Sequence, residues 1–334
     1  MEENQRLTKF IYKLLVAMIA FIGMFILAMV LGAADISPKD VWLALTTNEI
    51  GDKILIIREI RLPREIAAVL VGAALAVAGA IMQGMTKNPL ADPGLLGLTA
   101  GANAALAITM AFFSSINYFG IVIVCFIGSA IGAIFVFGVS SIKKGGFTPL
   151  RIVLAGAAIS TFLNALAEGI AIYYKISKEV SMWTAGGMMG TSWRQLQIIA
   201  PFIVIGILTA LFLSKQLTIL SLSEEVALGL GQRTTLIKVI LFIVIILLAG
   251  SSVALVGNMV FVGLMIPHLA RVIVGSDYRF IIPMSAILGA TLMVFADTLG
   301  RTINAPYETP VAAIVAMMGL PFFLFIVHKG GKTI

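Results

Sequence analysis

Long apolar stretches alternate with short polar segments along the whole chain. A helix needs about 20 apolar residues to cross the hydrocarbon core of a bilayer, whereas the strands of a membrane barrel show short alternating segments. Ten unbroken apolar stretches predict ten spanning helices, at about residues 10–33, 66–85, 94–113, 117–140, 149–172, 195–214, 236–256, 259–275, 281–299 and 308–328. The pattern therefore predicts an all-α, polytopic membrane protein whose single transmembrane domain covers residues 1–334.

Composition and charge support this prediction. Hydrophobic residues make up 60% of the 334 residues and charged residues 12%, against about 25% charged residues in soluble proteins. The net charge of +7 does not indicate a nucleic-acid partner, because Lys and Arg gather in the cytoplasmic loops of membrane proteins. With the N-terminus inside, the inner segments hold the positive excess and the rest of the chain is nearly neutral. Both termini are therefore predicted to be cytoplasmic.

Two glycine-bounded segments suggest an internal duplication. The segment Gly72–Gly79 reads GAALAVAG and Gly250–Gly257 reads GSSVALVG, and each leads toward a proline-containing break. In the ten-span topology the two helices run in opposite directions, and inverted repeats are typical of transporters. The alternative is that small residues at this spacing only allow helices to pack closely.

The sequence gives little support to an enzyme. It contains no HExxH motif, no Cys/His cluster with metal-ligand spacing and no GxSxG motif, so neither metal nor nucleophilic catalysis is indicated. No nucleotide-binding motif is complete either, so ATP used in transport would be hydrolysed by another subunit. We expect no cofactor and no metal on this chain.

Ionisable residues inside apolar stretches are candidates for function, because they are costly in lipid. Glu168 lies in the fifth stretch, and Asp297 and Arg301 lie near the outer end of the ninth. Asp297 and Arg301 are four residues apart, so a structural ion pair is as plausible as a functional role. Glu168 and Asp297 would be the coupling residues if the protein were a proton- or sodium-driven secondary transporter.

A polar insert at about residues 215–235 predicts a short amphipathic helix on the cytoplasmic side. Ser221 and Glu224 have the spacing of a capping box, the acidic Glu224 and Glu225 suit a helix N-terminus, and Gly231 suits its C-terminal cap. One apolar stripe is formed by Leu222, Val226 and Leu230. The stripe fits either a groove on a soluble partner or the bilayer surface.

Arginines cluster before the second apolar stretch, on the predicted outer face. The segment REIRLPR contains Arg58, Arg61 and Arg64, and Arg301 adds a cation on the same face. Their guanidinium groups suit lipid phosphates or, equally, the carboxylates of a docking protein.

Four segments of the sequence resemble one known family. They are RLPREIAAVLVGAALAVAGAIMQGMTKNPLADPGLLGLTAGA, LSLSEEVALGLGQR, GNMVFVGLMIPHLARVIVGSDYR and GLPFFLFIV. In order and spacing they look like the FecCD permeases, over about residues 55–328. These are the membrane subunits of type II ABC importers for iron–siderophore complexes, heme and vitamin B12, and they share the BtuC-like fold of ten helices.

The resemblance implies a set of partners in the cytoplasmic membrane of a bacterium. A second permease copy or a paralogue would complete the path, two cytoplasmic ATPases would use ATP and Mg²⁺, and an extracellular binding protein would deliver the substrate. In the family, basic residues matching Arg61, Arg64 and Arg301 receive acidic residues of the binding protein. The loop matching residues 221–233 contains the helices that sit in the ATPase groove.

The resemblance also suggests path residues and a substrate. The break around Asn88 and Pro89 and the run 183–190, which contains Met188 and Met189, match family positions near the two ends of the path; Gln83 is a further candidate. We expect a ferric siderophore as the substrate, with heme or vitamin B12 as the alternatives.

Overall fold

The computed structural model of the protein describes residues 2–32, 36–113, 116–141, 149–184 and 187–330. Within these ranges the regular structure is entirely helical, which confirms the all-α prediction. The helices are α1 (Glu2–Val30), α2 (Pro38–Thr46), α3 (Asp52–Leu55), α4 (Leu62–Thr86), α5 (Leu98–Phe112), α6 (Tyr118–Ser141), α7 (Pro149–Tyr173), α8 (Ser177–Thr184), α9 (Trp193–Phe212), α10 (Ser214–Leu222), α11 (Glu224–Gly229), α12 (Thr234–Val256), α13 (Val262–Val274), α14 (Tyr278–Thr302) and α15 (Val311–Gly330). A π-helical turn (Ile56–Arg61) joins α3 to α4, and a 3₁₀ turn (Pro93–Leu96) precedes α5.

Seven helices in the described ranges are long and apolar enough to cross a membrane. They are α1, the continuous helical segment that ends with α4, and α6, α7, α9, α12 and α14. Three shorter apolar helices, α5, α13 and α15, lie where the sequence predicts the remaining spans. The protein is therefore an integral membrane protein, and the described ranges contain seven long candidate spans and three shorter apolar helices, so the number of ten spanning helices stays a prediction.

Helix α4 lies at the centre of the fold. It packs against α14, α12, α13 and α9, and most of its side chains are buried. Many of these side chains are alanine or glycine, and such small side chains let neighbouring helix backbones approach closely. Helix α1, in contrast, leaves most of its apolar side chains exposed, as a helix in contact with lipid would.

Two glycines of α4 lie directly against glycines of its neighbours. A Cβ atom on Gly72 would lie 2.2 Å from the carbonyl oxygen of Gly289, and one on Gly79 would lie 1.9 Å from that of Gly263. Close packing therefore explains the glycines of the Gly72–Gly79 segment. The corresponding Gly257 instead ends α12 with a φ of 73°, and the inverted repeat stays a prediction.

We predict that Gly79→Ala lowers the melting temperature of the detergent-solubilised protein. The added methyl group would collide with the backbone of α13, and overpacking of this kind costs about 1–3 kcal/mol. Gly23→Ala is the matched control, because nothing lies within 4 Å of a Cβ atom at that position of α1. Equal melting temperatures of the two variants would contradict the close packing of α4 on α13.

Candidate functional site

Three arginines and three carboxylates form a buried cluster where α4 begins and α14 ends. Arg64 lies at its centre: its Nε is 3.0 Å from both carboxylate oxygens of Asp297, and its Nη1 is 2.8 Å from Oε1 of Glu308. Arg301, one turn after Asp297, approaches that carboxylate to 3.0 Å with Nε and donates to Glu65 with Nη2. We call this set the arginine cluster; its members are Arg61, Arg64, Glu65, Asp297, Arg301 and Glu308.

Carbonyl oxygens at the end of α1 complete the arginine cluster. Arg61 Nη1 donates to the carbonyls of Met29 at 2.7 Å and Val30 at 2.9 Å, and Arg301 Nη2 donates to that of Ala28 at 3.2 Å. The last carbonyls of a helix lack partners within the helix and attract cations. The arginine cluster therefore fastens α1, α4 and α14 together.

The structure changes the interpretation of the predicted docking arginines. Arg61, Arg64 and Arg301 come together at one end of the molecule, but they are only 5%, 7% and 7% exposed. The resemblance predicted that carboxylates of a docking protein bind them, whereas here the carboxylates belong to the same chain. The predicted pairing of Asp297 with Arg301 is confirmed.

Two members of the arginine cluster were missed by the sequence analysis. Glu65 follows Arg61 by four residues, a helical spacing that signals a shared face. Glu308 lies in the loop between α14 and α15, and no local pattern connects it to Arg64.

The polar insert folds as α10 and α11, with a start that differs from the prediction. Ser223, not Ser221, is the N-cap of α11, and its Oγ accepts a hydrogen bond from the backbone N–H of Val226 at 2.9 Å. Ser221 belongs to α10 and donates to the carbonyl of Thr218. The predicted capping box is wrong because the chain becomes extended at Ser223, so that Glu224 is the first residue of α11 rather than the third.

Apolar side chains project from this insert. Leu222, Val226 and Leu230 are 68%, 45% and 67% exposed, as predicted, although Leu222 belongs to α10 and not to the same helix as Val226. Gly231 follows the end of α11 with a φ of 76°, a conformation that favours glycine.

Acidic residues begin α11, and one of them is held by a lysine. Glu224 and Glu225 are the first two residues of the helix. Glu224 accepts a hydrogen bond from Lys238 at 2.7 Å, which lowers the pKa of its carboxyl group. This exposed ion pair connects α11 to α12.

Gln83 makes a polar contact between α4 and α13. Its side-chain amide donates to the carbonyls of Gly263 and Leu264, and its Oε1 accepts from Arg271 Nη2 at 3.1 Å. The side chain is buried. The structure therefore places Gln83 in a contact between helices, and its position along the path stays a prediction.

The same polar contact continues to the insert. Arg271 Nη2 also donates to the hydroxyl of Tyr278 at 3.4 Å, and the backbone N–H of Tyr278 donates to Thr218 Oγ1 in α10 at 2.9 Å. Gly84 of α4 leaves space for both neighbours: a Cβ atom there would lie 2.8 Å from the ring of Tyr278 and 2.8 Å from Leu217 of α10. The C-terminal end of α4 is therefore in direct contact with the insert.

The other predicted path residues lie in two non-helical segments between helices. Asn88 and Pro89 follow the end of α4, where Asn88 Oδ1 accepts from the backbone N–H of Leu90 and holds a turn. Met188 is buried and Met189 is 62% exposed. Residues 185–186 of the run 183–190 lie outside the described residues.

Helix α7 carries a polar stripe that the sequence analysis did not identify as a unit. Thr161, Asn164 and Glu168 are all exposed, and at about 100° per residue they lie on one side of the helix. The apolar Phe162 and Leu166, 65% and 40% exposed, lie on a different part of the exposed surface of α7, beside the polar stripe. The spacing of 161, 164 and 168 was visible in the sequence, but only Glu168 drew attention because it is charged.

We predict that Asp297→Asn strongly destabilises the protein. The substitution leaves two buried arginines without their shared carboxylate, and breaking a buried ion pair costs about 3–5 kcal/mol. The control is Lys238→Gln, which breaks the exposed pair with Glu224 and should cost at most about 1 kcal/mol. Thermal unfolding in detergent measures both variants, and a loss for Asp297→Asn no larger than for the control would count against the arginine cluster.

Comparisons with known proteins agree with this architecture. The profile of the FecCD transport family matches residues 18–329. The iron(3+)-hydroxamate import system permease protein FhuB of Bacillus subtilis (strain 168) is 42% identical over 310 residues, which cover 91% of this chain and 79% of that protein. The Fe(3+)-citrate import system permease protein YfmD of the same organism is 40% identical over 327 residues, covering 98% and 96%.

A more distant relative and a solved structure extend the agreement. The ferric enterobactin transport system permease protein FepD of Escherichia coli (strain K12) is 35% identical over 304 residues, 91% of each chain. A metal-chelate type ABC transporter in an inward-facing conformation has the same fold, with a TM-score of 0.81 and 24% identity over 95% of this chain and 98% of that one. Because the profile covers almost the whole chain and the relatives exceed 30% identity over nine tenths of it, the chain belongs to the FecCD transport family.

Proposed function

We propose that the protein is the permease subunit of an ATP-driven importer that carries ferric siderophore complexes across the cytoplasmic membrane of a bacterium. The observation that carries this proposal is the family match over residues 18–329, together with relatives named for ferric hydroxamate, citrate and enterobactin. The chain has no complete nucleotide-binding motif, so separate ATPase subunits supply the energy. Both termini are cytoplasmic in this proposal.

A second permease subunit, either another copy or a paralogue, completes the path. A polar stripe within an apolar spanning helix is unfavourable in lipid and faces water or protein. The stripe of α7 is exposed on the single chain, so a second subunit that covers this side would enclose it in a polar path.

The insert is the docking site for an ATPase. Val226 and Leu230 are exposed on the short capped segment, and exposed apolar side chains beside acidic residues suit a groove on a soluble protein. The contacts of Tyr278 with Thr218 and Gly84 give movements of the insert a direct route to α4.

The arginine cluster is the docking site for the substrate-binding protein. Arg64 is already held by two carboxylates, one from the buried Asp297 and one from Glu308, whose side chain is 31% exposed. A carboxylate arriving from outside would replace Glu308 more readily than Asp297, because Glu308 is the more accessible of the two. Docking thus exchanges one carboxylate for another without leaving Arg64 unpaired.

The experiment that tests the function combines uptake with purification. In cells that lack the chain, expression of the wild type should restore uptake of a radio-iron hydroxamate complex. Uptake should persist with a protonophore and stop when ATP is depleted. Uptake that persists without ATP and collapses with the protonophore would contradict the proposal and favour a secondary transporter, and restored uptake of heme or vitamin B12 alone would contradict the siderophore assignment.

The tagged protein purified from the same cells should carry an ATPase with a nucleotide-binding loop. Val226→Asp combined with Leu230→Asp should weaken its binding by about 10-fold or more, since burial of each such side chain contributes about 1.5–3 kcal/mol. The control is Leu45→Asp, an exposed leucine of α2 outside the insert, which should retain the ATPase. Equal retention by all variants would contradict docking at the insert.

We further predict that Glu308→Gln strengthens docking of the cognate binding protein several-fold. The substitution removes the carboxylate that competes for Arg64, and charge-assisted hydrogen bonds are roughly twice as strong as neutral ones. The control is Glu59→Gln, which removes the same charge from an exposed carboxylate before α4. Binding kinetics on the solubilised importer measure the effect, and unchanged or weaker binding relative to the control would contradict carboxylate exchange.

A further inference from the structure

Glu168 differs from the other intramembrane carboxylates of the protein. Asp297 and Glu65 are paired with arginines inside the arginine cluster. Among the described residues, no ion pair forms to Glu168. It is also the only charged residue in the sequence from Leu154 to Tyr173. The charge of Glu168 is therefore available to a molecule that passes along α7.

The position of Glu168 places it inside the spanning helix. Thr161 lies midway between Pro149 and Tyr173, the two ends of α7, and Glu168 lies seven residues further on, which is about 10 Å along the helix axis. It is about 7–8 Å from the helix end at Tyr173. Glutamate also lacks the long apolar stem with which Lys and Arg reach the interface.

Other polar side chains lie on the same side of α7 as Glu168. Asn164 and Thr161 continue the stripe toward the middle of the helix, while Phe162 and Leu166 occupy the part of the surface that suits lipid. A carboxylate at this depth is costly in hydrocarbon, so the stripe faces water or protein, and in the proposed two-subunit importer it lines the path. In an importer with two copies of this chain, each copy contributes one Glu168 to the same path.

We propose that Glu168 selects the cargo by charge, favouring cationic ferric chelates and disfavouring anionic ones. Rings of carboxylates select cations in channels by the same electrostatics, and clefts lined by one sign of charge raise the local concentration of opposite charge by 10-fold or more. Trihydroxamate complexes of Fe(III) are neutral or cationic, whereas tris-catecholate and citrate complexes are anionic. This inference rests on the proposed function and narrows its substrate to hydroxamate-type chelates.

The names of the relatives leave this choice open, because hydroxamate, citrate and enterobactin complexes differ in charge. A charged residue that faces the path can discriminate between chelates of different charge even if the binding protein performs the first selection. Asn164 and Thr161, whose hydroxyl donates to the carbonyl of Ala157, are uncharged and impose no charge preference of their own, so the preference falls on Glu168.

The test compares two hydroxamate probes in cells that contain the whole importer. Initial uptake rates are measured for ferrioxamine B, which is cationic, and ferrichrome, which is neutral, with wild type, Glu168→Gln and Glu168→Lys. We expect Glu168→Gln to lower the ratio of the cationic to the neutral rate by about 3- to 10-fold, and Glu168→Lys to lower it further. The neutral rate reports whether each variant is folded and inserted.

The matched control is Glu179→Gln, which removes an exposed carboxylate from α8, beyond the spanning segment. It should leave the ratio at the wild-type value. An unchanged ratio in Glu168→Gln, or wild-type uptake that excludes the cationic probe, would overturn charge selection. ATP-driven uptake of either probe in those cases would leave the proposed function intact, whereas wild-type uptake that ignores ATP depletion would overturn the function itself.

Discussion

A polar group in hydrocarbon must be paired or must face water, and this constraint organises the whole molecule. At one end of α4 it is met by pairing, since Arg64 and Arg301 are neutralised by carboxylates from distant parts of the chain. At the other end Gln83 and Arg271 satisfy each other between helices. In the proposed importer Glu168 follows the second route, because the polar stripe of α7 then lines an aqueous path.

Helix α4 contributes residues both to the arginine cluster and to the contact between Gln83 and Arg271. It can therefore carry a mechanical signal between these two regions. Its small side chains place it in backbone contact with α13 and α14 at Gly79 and Gly72, and closely packed interiors transmit displacement rather than absorb it. Gly84 contacts the insert near the C-terminal end of α4, and Arg64 lies at the centre of the arginine cluster near the N-terminal end of the same helix. Docking on one side and ATP hydrolysis on the other would thus act on the same helix.

The sequence was sufficient for features that depend on local pattern. Each apolar stretch became a helix, because hydrophobicity and length decide spanning segments. Asp297 and Arg301 pair because four residues make one helical turn. Contacts between distant segments were not predictable in this way: Glu308 reaches Arg64 across 244 residues. The start of α11 was missed by two residues, since Ser221 and Ser223 are both suitable caps and only the tertiary fold selects Ser223.

The arginine cluster balances three arginines against three carboxylates, whereas Glu168 is a single carboxylate without an ion pair among the described residues, and in the proposed importer this difference separates two kinds of recognition. In that proposal an arriving carboxylate of the docking protein exchanges with Glu308 on Arg64, while Glu168, within the spanning part of α7, attracts cationic cargo. If the arginines of the cluster had no carboxylates of their own, they would also attract an anionic chelate and hold it rather than pass it on. A neutralised cluster that exchanges one carboxylate, combined with an acidic path, would therefore let the docking protein bind through its own carboxylates while the path draws the released cation inward.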